Sequence, residues 1–567
     1  MTKLMVHAWL EKQNNQISQH FAYCHQKLVK QFFSRDPNLW PIYKIKQVAE
    51  LVGHKRNLTM PTNPILSKRL AADSYIPHAS SQVIKPFEPL ALFAAGHSKN
   101  WDDPSAVENV ISTPSDPAIH GALLGTIANP NLVYSEYAGR ATELESVVVR
   151  QIANLVGYDD QKATGLFTQG GTFCNLYGYL LGLRKCFPDS ATTGIGDKKL
   201  AFINSQAGHY SNVTNLSLLG VDMSKQLLRT KVNENNQIDL NDLAKQFEYC
   251  IRHEITVPTI LLTFGTTDTF AIDDVAAVYL LRERLCRQYG LNYRPHIHVD
   301  AAVGWTLLFF KEYAFERNEL AINTATLEGL EVTNALVKGL RYADSITIDF
   351  QKWGYVPYTS SLILVKDRQD MQALKHDADY FSYFEAQQRN QTHLQSTIEC
   401  SRSAVGVFSA YSALESIGIE GYQMLIAHGL QNANYLRCLL SKLRNCKVVS
   451  GSNQGPCVTF RLYPPEMEES AQALFYRERR LIRQKAYMES IVSSATYHRN
   501  NFLARKGRYL KTNWVDSIAR TDYNEAGHCL FLPGEKAVFL NPNTQRRSIE
   551  LFVANLNATH LGRKRTD

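Results

Sequence analysis

The chain has 567 residues, of which 44% are hydrophobic and 20% charged, and its formal net charge is +8 at pH 7. This is ordinary globular composition, and the length predicts more than one domain. The modest, scattered positive charge disfavours a nucleic-acid-binding protein, and no apolar run is long enough to predict a membrane protein. Ten cysteines without a CxxC pair favour a reducing, cytoplasmic compartment over a disulfide framework or a metal site.

The first strong local pattern begins near residue 126. A helix is predicted from Thr142, because the apolar residues that follow recur at helical spacing. The next stretch, TGLFTQGGTF (164–173), reads as a short strand, a turn at Gly170, Gly171 and Thr172, and a helix from about Asn175. Such a turn presents backbone N–H groups and a hydroxyl, so it can hold a phosphate, although Gly-Gly turns are common.

Four further strand patterns follow, at 199–211, 259–275, 296–305 and 344–350. Each leads into a polar residue: His209, Thr266, Asp300 and Lys352, respectively. Strands that alternate with helices predict an α/β fold with a mostly parallel sheet, in which ligands bind at the carboxyl ends of the strands. The four residues and the Gly-Gly-Thr turn are therefore predicted to share one site.

Taken singly, these residues have simpler interpretations. Lys352 could be a surface charge, His209 a hydrogen-bonded loop residue, and Asp300 a helix cap. Thr266, with its neighbour Thr267, could be a turn former.

Together, the same residues match the needs of pyridoxal 5′-phosphate. This cofactor requires a lysine for a Schiff base, a carboxylate for its ring nitrogen, a phosphate cradle, and groups on the two faces of the ring. Lys352, Asp300 and the Gly170–Thr172 turn supply the first three, and His209 with Ala302 supplies the last. A carboxylate buried at Asp300 would be costly without a cationic partner, and a protonated pyridine ring is such a partner.

The ordered segments FTQGGTFCNLYG, GHYS, TFGTTDTFAIDD, HVDAA and DSITIDFQKWGYVPY resemble the group II pyridoxal-phosphate-dependent amino-acid decarboxylases, and most closely their bacterial tyrosine and aspartate branch. The resemblance covers roughly residues 125–420 and continues more weakly to 535–556. It implies fold type I, with a large cofactor-binding domain over 106–415 and a smaller C-terminal α/β domain over 416–567. Residues 1–105 are expected to be a helical segment that packs in a homodimer.

The resemblance also implies residue roles. Lys352 would form the Schiff base, Asp300 would pair with the ring nitrogen, and His209 would stack on the ring. The implied cofactor-binding set is Gly170, Gly171, Thr172, His209, Thr266, Asp300, Ala302, Gln351 and Lys352. A mobile-loop tyrosine, Tyr383 with Tyr380 as the competitor, or else His209, would return a proton to the substrate carbon.

Three positions bear on cofactor and substrate binding. Gln351 stands where the family usually has histidine, and an amide carries no charge toward phosphate. Lys536 stands where an arginine often binds the substrate carboxylate, so it keeps the charge but loses the bidentate geometry. Arg140 is either a second carboxylate-binding residue or a surface charge near a helix start.

The implied activity is release of CO2 from a small-molecule L-amino-acid substrate, and Arg140 favours aspartate or glutamate. Tyrosine-like substrates stay open. A phenylalanine at the loop position would instead indicate an aldehyde synthase, and Phe381 and Phe384 lie close to that position. Because of Gln351, a catalytically inactive scaffold of the same fold is the non-enzyme alternative.

Overall fold

A seven-stranded sheet organises the fold in a computed structural model that describes residues 99–375, 393–480, 485–505, 507–523 and 529–558. Its strands are β1 Thr164–Thr168, β2 Phe202–Ser205, β3 Leu227–Thr230, β4 Thr259–Thr263, β5 His296–Asp300, β6 Ser345–Asp349 and β7 Ser361–Val365. The order across the sheet is β1-β7-β6-β5-β4-β2-β3. Strands β3, β2, β4, β5 and β6 pair in parallel, and β7 is antiparallel to both β6 and β1.

Helices cover this sheet because its central strands are buried on both faces. All five residues of β4, β5 and β6 are buried, which is the pattern of a sheet packed on both sides. The helices of this part are α1 Asp116–Ala128, α2 Ser135–Ala138, α3 Ala141–Val156, α4 Gly171–Cys186, α5 Ser190–Thr193, α6 Ser211–Leu218, α7 Leu240–Arg252, α8 Val275–Gln288 and α9 Thr324–Gly339. Helix α4 packs against β4 to β7, so its first turn lies beside the strand ends.

A smaller antiparallel sheet lies in the C-terminal part. It contains β8 Cys446–Val449, β9 Cys457–Leu462, β10 Asn513–Tyr523 and β11 Cys529–Val538, in the order β10-β11-β9-β8. Helices α10 Val405–Ser441, α11 Ala471–Arg479, α12 Lys485–Arg505 and α13 Arg546–Ala558 accompany it. Helix α10 contacts α1, α3 and α9 beside the larger sheet and β8 and β9 of the smaller sheet. It has non-helical backbone angles at Gly418, with φ 66° and ψ 176°.

The predicted domain limits remain predictions. Helix α10 crosses the predicted boundary at 415/416, and most of the predicted N-terminal segment lies outside the described residues. Trp101–Asp567 form one compact unit. Within the described ranges, no helix is both long and apolar enough to cross a bilayer.

Candidate active site

The predicted cofactor-binding residues line one cavity of about 290 Å³ at the carboxyl ends of β1, β4, β5 and β6. The structure brings together Gly170, Gly171, Thr172, His209, Thr266, Asp300, Ala302, Gln351 and Lys352. This volume is near the lower end of the range for small-ligand sites. The convergence follows from the parallel sheet, which places successive strand ends along one edge.

Lys352 lies three residues beyond the end of β6, beside a buried carboxylate. Its Nζ is 2.9 Å from Asp349 Oδ2, and Ser361 Oγ donates a 2.6 Å hydrogen bond to Asp349 Oδ1. Asp349 and Ser361 are register partners on β6 and β7, which fixes this contact. Burial lowers the pKa of the Lys352 amine, but Asp349 and Asp300 outweigh it and raise that pKa above its usual value.

Asp300 ends β5 and is only 7% exposed. Its Oδ2 accepts a 2.8 Å hydrogen bond from Asn175 Nδ2, and its Oδ1 accepts a 3.2 Å bond from the Ala302 N–H. Asn175 lies in the first turns of α4 and also lines the cavity. The carboxylate is therefore held by donors on one side while it faces the cavity.

His209 lies in the loop after β2, with its Nδ1 2.8 Å from Ser211 Oγ. Burial lowers the pKa of His209 despite the opposing charge of Asp300, which favours the neutral ring. A neutral imidazole suits stacking on an aromatic ligand. Thr266 lines the cavity and also forms the turn, because its Oγ1 accepts a 2.9 Å bond from the Ala271 N–H.

The N-terminus of α4 forms the predicted phosphate cradle. The first N–H groups of a helix have no intrahelical acceptor, so those of Gly171 and Thr172 suit an anion. Gly170, just before the helix, has φ 138°, which favours glycine. A Cβ added at Gly171 would lie 2.8 Å from Asp349 Oδ2, so this glycine allows the carboxylate to approach.

Gln351 is buried and makes two structural hydrogen bonds. Its Nε2 donates to Ser361 Oγ at 2.8 Å, and its Oε1 accepts from the Ser360 N–H at 3.0 Å. The amide thus joins the start of β7 to the segment that carries Lys352.

The two basic residues predicted to bind a substrate carboxylate do not line this cavity. The Arg140 side chain is 88% exposed and pairs with Glu143 at 2.6 Å, as expected for a surface charge at a helix start. Lys536 is buried on β11, where its Nζ is 2.7 Å from Asp268 Oδ1. This ion pair already compensates the Lys536 charge.

Predicted loop residues Tyr383, Tyr380, Phe381 and Phe384 lie outside the described residues. Within the described part, the cavity wall also includes side chains that the sequence did not indicate, among them Asn175, Asp349 and Tyr358. Asn175 stands four residues after Gly171, about one helical turn along α4, and this spacing was a usable signal.

A second cavity of about 530 Å³ adjoins the first and shares His209, Tyr210, Thr266 and Thr267 with it. Its wall combines apolar surface with polar and charged side chains, which include Gln206, Arg229, Asn236, Asp268, Thr269, Asp516 and Ser517. It offers space for a substrate side chain next to the cofactor residues.

Sequence comparison identifies the family. The pyridoxal-dependent decarboxylase conserved domain matches residues 77–463. The chain belongs to the pyridoxal-dependent decarboxylase family. Its aspartate 1-decarboxylase relative from Aliivibrio fischeri is 24% identical over 433 residues, which are 72% of this chain and 73% of that protein. The L-2,4-diaminobutyrate decarboxylase of Acinetobacter baumannii is 24% identical over 302 residues, which cover 51% of this chain and about half (53%) of the relative.

Solved structures of decarboxylases share the fold. The structure of Oryza sativa TDC with PLP and tryptamine has a TM-score of 0.69 at 15% identity, over 93% of this chain and 98% of that one. The predictions of fold type I, of pyridoxal phosphate and of an amino-acid decarboxylase in this family are confirmed.

The site suits the cofactor on structural grounds. One cavity combines an amine, a carboxylate and a helix N-terminus, and the buried Thr263 Oγ1 in its wall has no hydrogen-bond partner within the described residues.

Proposed function

We propose that this pyridoxal-phosphate-dependent decarboxylase acts on a short acidic L-amino acid, with L-aspartate as the first candidate, and that Lys352, Asp300 and His209 carry the cofactor. The convergence of these three side chains in one cavity is the main observation that supports their role in holding the cofactor. Gly171 and Thr172 would hold the phosphate at the start of α4, and Asp300 would accept a hydrogen bond from the ring nitrogen.

When bound, pyridoxal phosphate withdraws electrons from the substrate and so stabilises the negative charge left by departing CO2. The residues of the chain orient the reactants and manage protons. Lys352 Nζ lies 2.9 Å from Asp349 Oδ2, and this ion pair favours the protonated amine. His209 would supply a neutral aromatic face for the cofactor ring, and Ala302, which lines the same cavity, would contact the ring's other face.

The identity of the proton donor to the substrate carbon stays a prediction. Tyr383 keeps that role in the proposal, with His209 as the alternative.

The acidic substrate is supported by the second cavity rather than by Arg140. Arg229 lies in its wall, where its Nη2 donates a 3.0 Å bond to the Gln206 carbonyl. The Asp268 carboxylate there is paired with Lys536 at 2.7 Å. A cation in the wall favours a carboxylate side chain. The similarity to an aspartate 1-decarboxylase points the same way. Asp516, also in this wall, is the feature that would favour a cationic substrate such as L-2,4-diaminobutyrate instead.

We also propose a cytoplasmic homodimer. All eight cysteines whose side chains are described are free, which is compatible with a reducing compartment. Tyr210 is 77% exposed where the two cavities meet, and in the proposed dimer the second subunit would cover it.

The test is reconstitution of the full chain with pyridoxal phosphate, followed by absorption spectroscopy and a substrate screen. We expect a visible band that Lys352→Ala abolishes and that Lys366→Ala, a change in the lysine directly after β7, preserves. A protein that gains no band with added cofactor would instead be the inactive scaffold. CO2 release from aspartate, glutamate, diaminobutyrate and tyrosine would then rank the substrates, while peroxide release would indicate the aldehyde synthase.

A charge change tests the substrate class. Arg229→Gln should raise KM for L-aspartate about tenfold or more, because a hydrogen-bonded charge pair would be lost. Arg140→Gln, a change of an exposed arginine, is the matched control and should leave KM unchanged. Equal KM values in the two variants would contradict the acidic assignment, as would faster turnover of tyrosine than of aspartate.

A further inference from the structure

Asn175 joins Asp300 to a buried polar chain behind the cavity. Its Nδ2 donates to Asp300 Oδ2 at 2.8 Å, while its Oδ1 accepts a 2.7 Å bond from Thr347 Oγ1 and lies 3.1 Å from His298 Nε2. The His298 side chain is fully buried, and Asn175 and Thr347 are almost or fully buried as well. In such surroundings an unpaired polar atom is costly, so the direction of each hydrogen bond matters.

The chain continues through a serine to a second histidine. His298 Nδ1 is 2.7 Å from Ser345 Oγ, and Ser345 Oγ is 2.7 Å from His296 Nε2. Burial lowers the pKa of both histidines, that of His296 to about 3, so each ring is neutral and carries one N–H. The Nδ1 atom of His296 has no hydrogen-bond partner within the described residues.

One direction of donation fits all these contacts. If His296 Nε2–H donates to Ser345 and the Ser345 hydroxyl donates to His298 Nδ1, then His298 Nε2 carries its proton toward Asn175 Oδ1. In the reverse direction His298 Nε2 would be unprotonated and would need the proton of Thr347 Oγ1, 3.0 Å away. Asn175 Oδ1 would then lose its bond from Thr347 and would face the acceptor His298 Nε2 at 3.1 Å. Every donor in the chain therefore points toward Asp300.

This direction of hydrogen-bond donation fixes the orientation of the Asn175 side-chain amide. Because Thr347 and His298 both present donors to Oδ1, the amide N–H₂ faces Asp300. A rotated amide would place Oδ1 2.8 Å from the carboxylate, which is repulsive. We propose that Asn175 is a positioning residue that holds Asp300 in the orientation required by the cofactor ring nitrogen, with Thr347 and His298 fixing Asn175 in turn. The inference rests on the proposed role of Asp300.

The close approach of α4 to the sheet is what lets Asn175 reach Asp300. Gly178, three residues along α4, lies against the His298 ring, and a Cβ there would be 2.2 Å from His298 Cγ. Residues three apart share one face of a helix, so Gly178 and Asn175 face the sheet together.

The test compares Asn175→Ala with Asn204→Ala in the reconstituted full-length protein. Asn204 is an equally buried asparagine on β2 that bonds Tyr179 and does not contact Asp300. Both variants should lose thermal stability. For Asn175→Ala, kcat should fall roughly tenfold or more, the cofactor should bind more weakly, and its absorption spectrum should change, with KM for the substrate within about twofold of wild type. Asn204→Ala should keep the wild-type spectrum and kcat.

A second pair of variants separates hydrogen bonding from packing. Thr347→Val removes the hydroxyl at nearly constant volume and should shift kcat and the spectrum in the same direction as Asn175→Ala, whereas Thr347→Ser should retain wild-type values. The inference is overturned if Asn175→Ala matches Asn204→Ala, or if Thr347→Val matches Thr347→Ser. Combining Asn175→Ala with Asp300→Asn should be non-additive, and additivity would also overturn it. A visible band that persists in Lys352→Ala would defeat the proposed function instead.

Discussion

Gly178→Ala is the sharpest structural test of how α4 meets the sheet. The added Cβ would lie 2.2 Å from Cγ, 2.5 Å from Nδ1 and 2.6 Å from Cδ2 of His298. Contacts below 3.0 Å essentially never occur for a real Cβ, and the ring cannot turn away without breaking its bonds to Ser345 and Asn175. The helix must therefore move by about 1 Å, and overpacking of this kind costs about 1–3 kcal/mol of unfolding free energy.

The same movement would stretch the 2.8 Å bond from Asn175 to Asp300. We therefore expect weaker cofactor binding as well as a lower denaturation midpoint in urea. The control is Gly339→Ala at the end of α9, where the nearest atoms are 3.4 and 3.5 Å away in Ala276 and no such clash arises. If Gly178→Ala matches Gly339→Ala in urea midpoint and in cofactor affinity, the close approach of α4 to His298 is refuted.

Two further predictions concern buried charges. Arg402→Ala should lower the unfolding free energy by about 3–5 kcal/mol in urea titrations, because Arg402 Nη1 lies 2.5 Å from the buried Glu145 and its loss leaves that carboxylate uncompensated. The control, Arg140→Ala, should leave the urea midpoint unchanged. Similar urea midpoints for the two variants would contradict this prediction. Although burial raises the pKa of Glu535, Arg505 and other neighbours lower it to about 2. Because this folded-state pKa lies below the usual 4.5, the ionised Glu535 stabilises the fold fully above about pH 5, and this stabilisation is lost as pH falls toward 2. Over that interval the unfolding free energy of the wild type should therefore fall by about 3 kcal/mol more than that of Glu535→Gln. Parallel pH profiles of unfolding free energy would contradict it.

Much of the fold was predictable because the central strands are short and rich in β-branched residues, with chemistry at their ends. Asp300 and Lys352 could be placed at one edge of the sheet, since parallel strands bring their carboxyl ends together. Helix α4 begins at Gly171 rather than near Asn175, because the extended turn at Gly170 allows the helix to start at once. Helix α3 begins at Ala141, one residue before the predicted Thr142.

The spacing of Asn175 from Gly171 could have placed it near the cavity, but its hydrogen bond to Asp300 could not be predicted, because that bond depends on the distance between α4 and β5. That distance is set by the contact of Gly178 with His298, which lie 120 positions apart in the chain. For Arg140, by contrast, the charge suggested a carboxylate-binding role, whereas in the structure this side chain lies at the exposed start of α3 and pairs with Glu143. The sequence pattern indicates at which strand end a residue lies, but not whether a neighbouring side chain of opposite charge is already paired with it.

The carboxylate of Asp349 affects how strongly the cavity prefers pyridoxal phosphate over unphosphorylated pyridoxal. It lies beside the first residue of α4, so whenever the Lys352 amine 2.9 Å away gives up its proton, the negative charge of Asp349 partly offsets the positive end of the helix dipole. Electrostatic attraction for a doubly charged phosphoryl group is correspondingly weaker there. Loss of the phosphoryl group should therefore cost less binding free energy here than at a helix N-terminus without a nearby carboxylate. Unphosphorylated pyridoxal should then compete measurably with pyridoxal phosphate for the cavity.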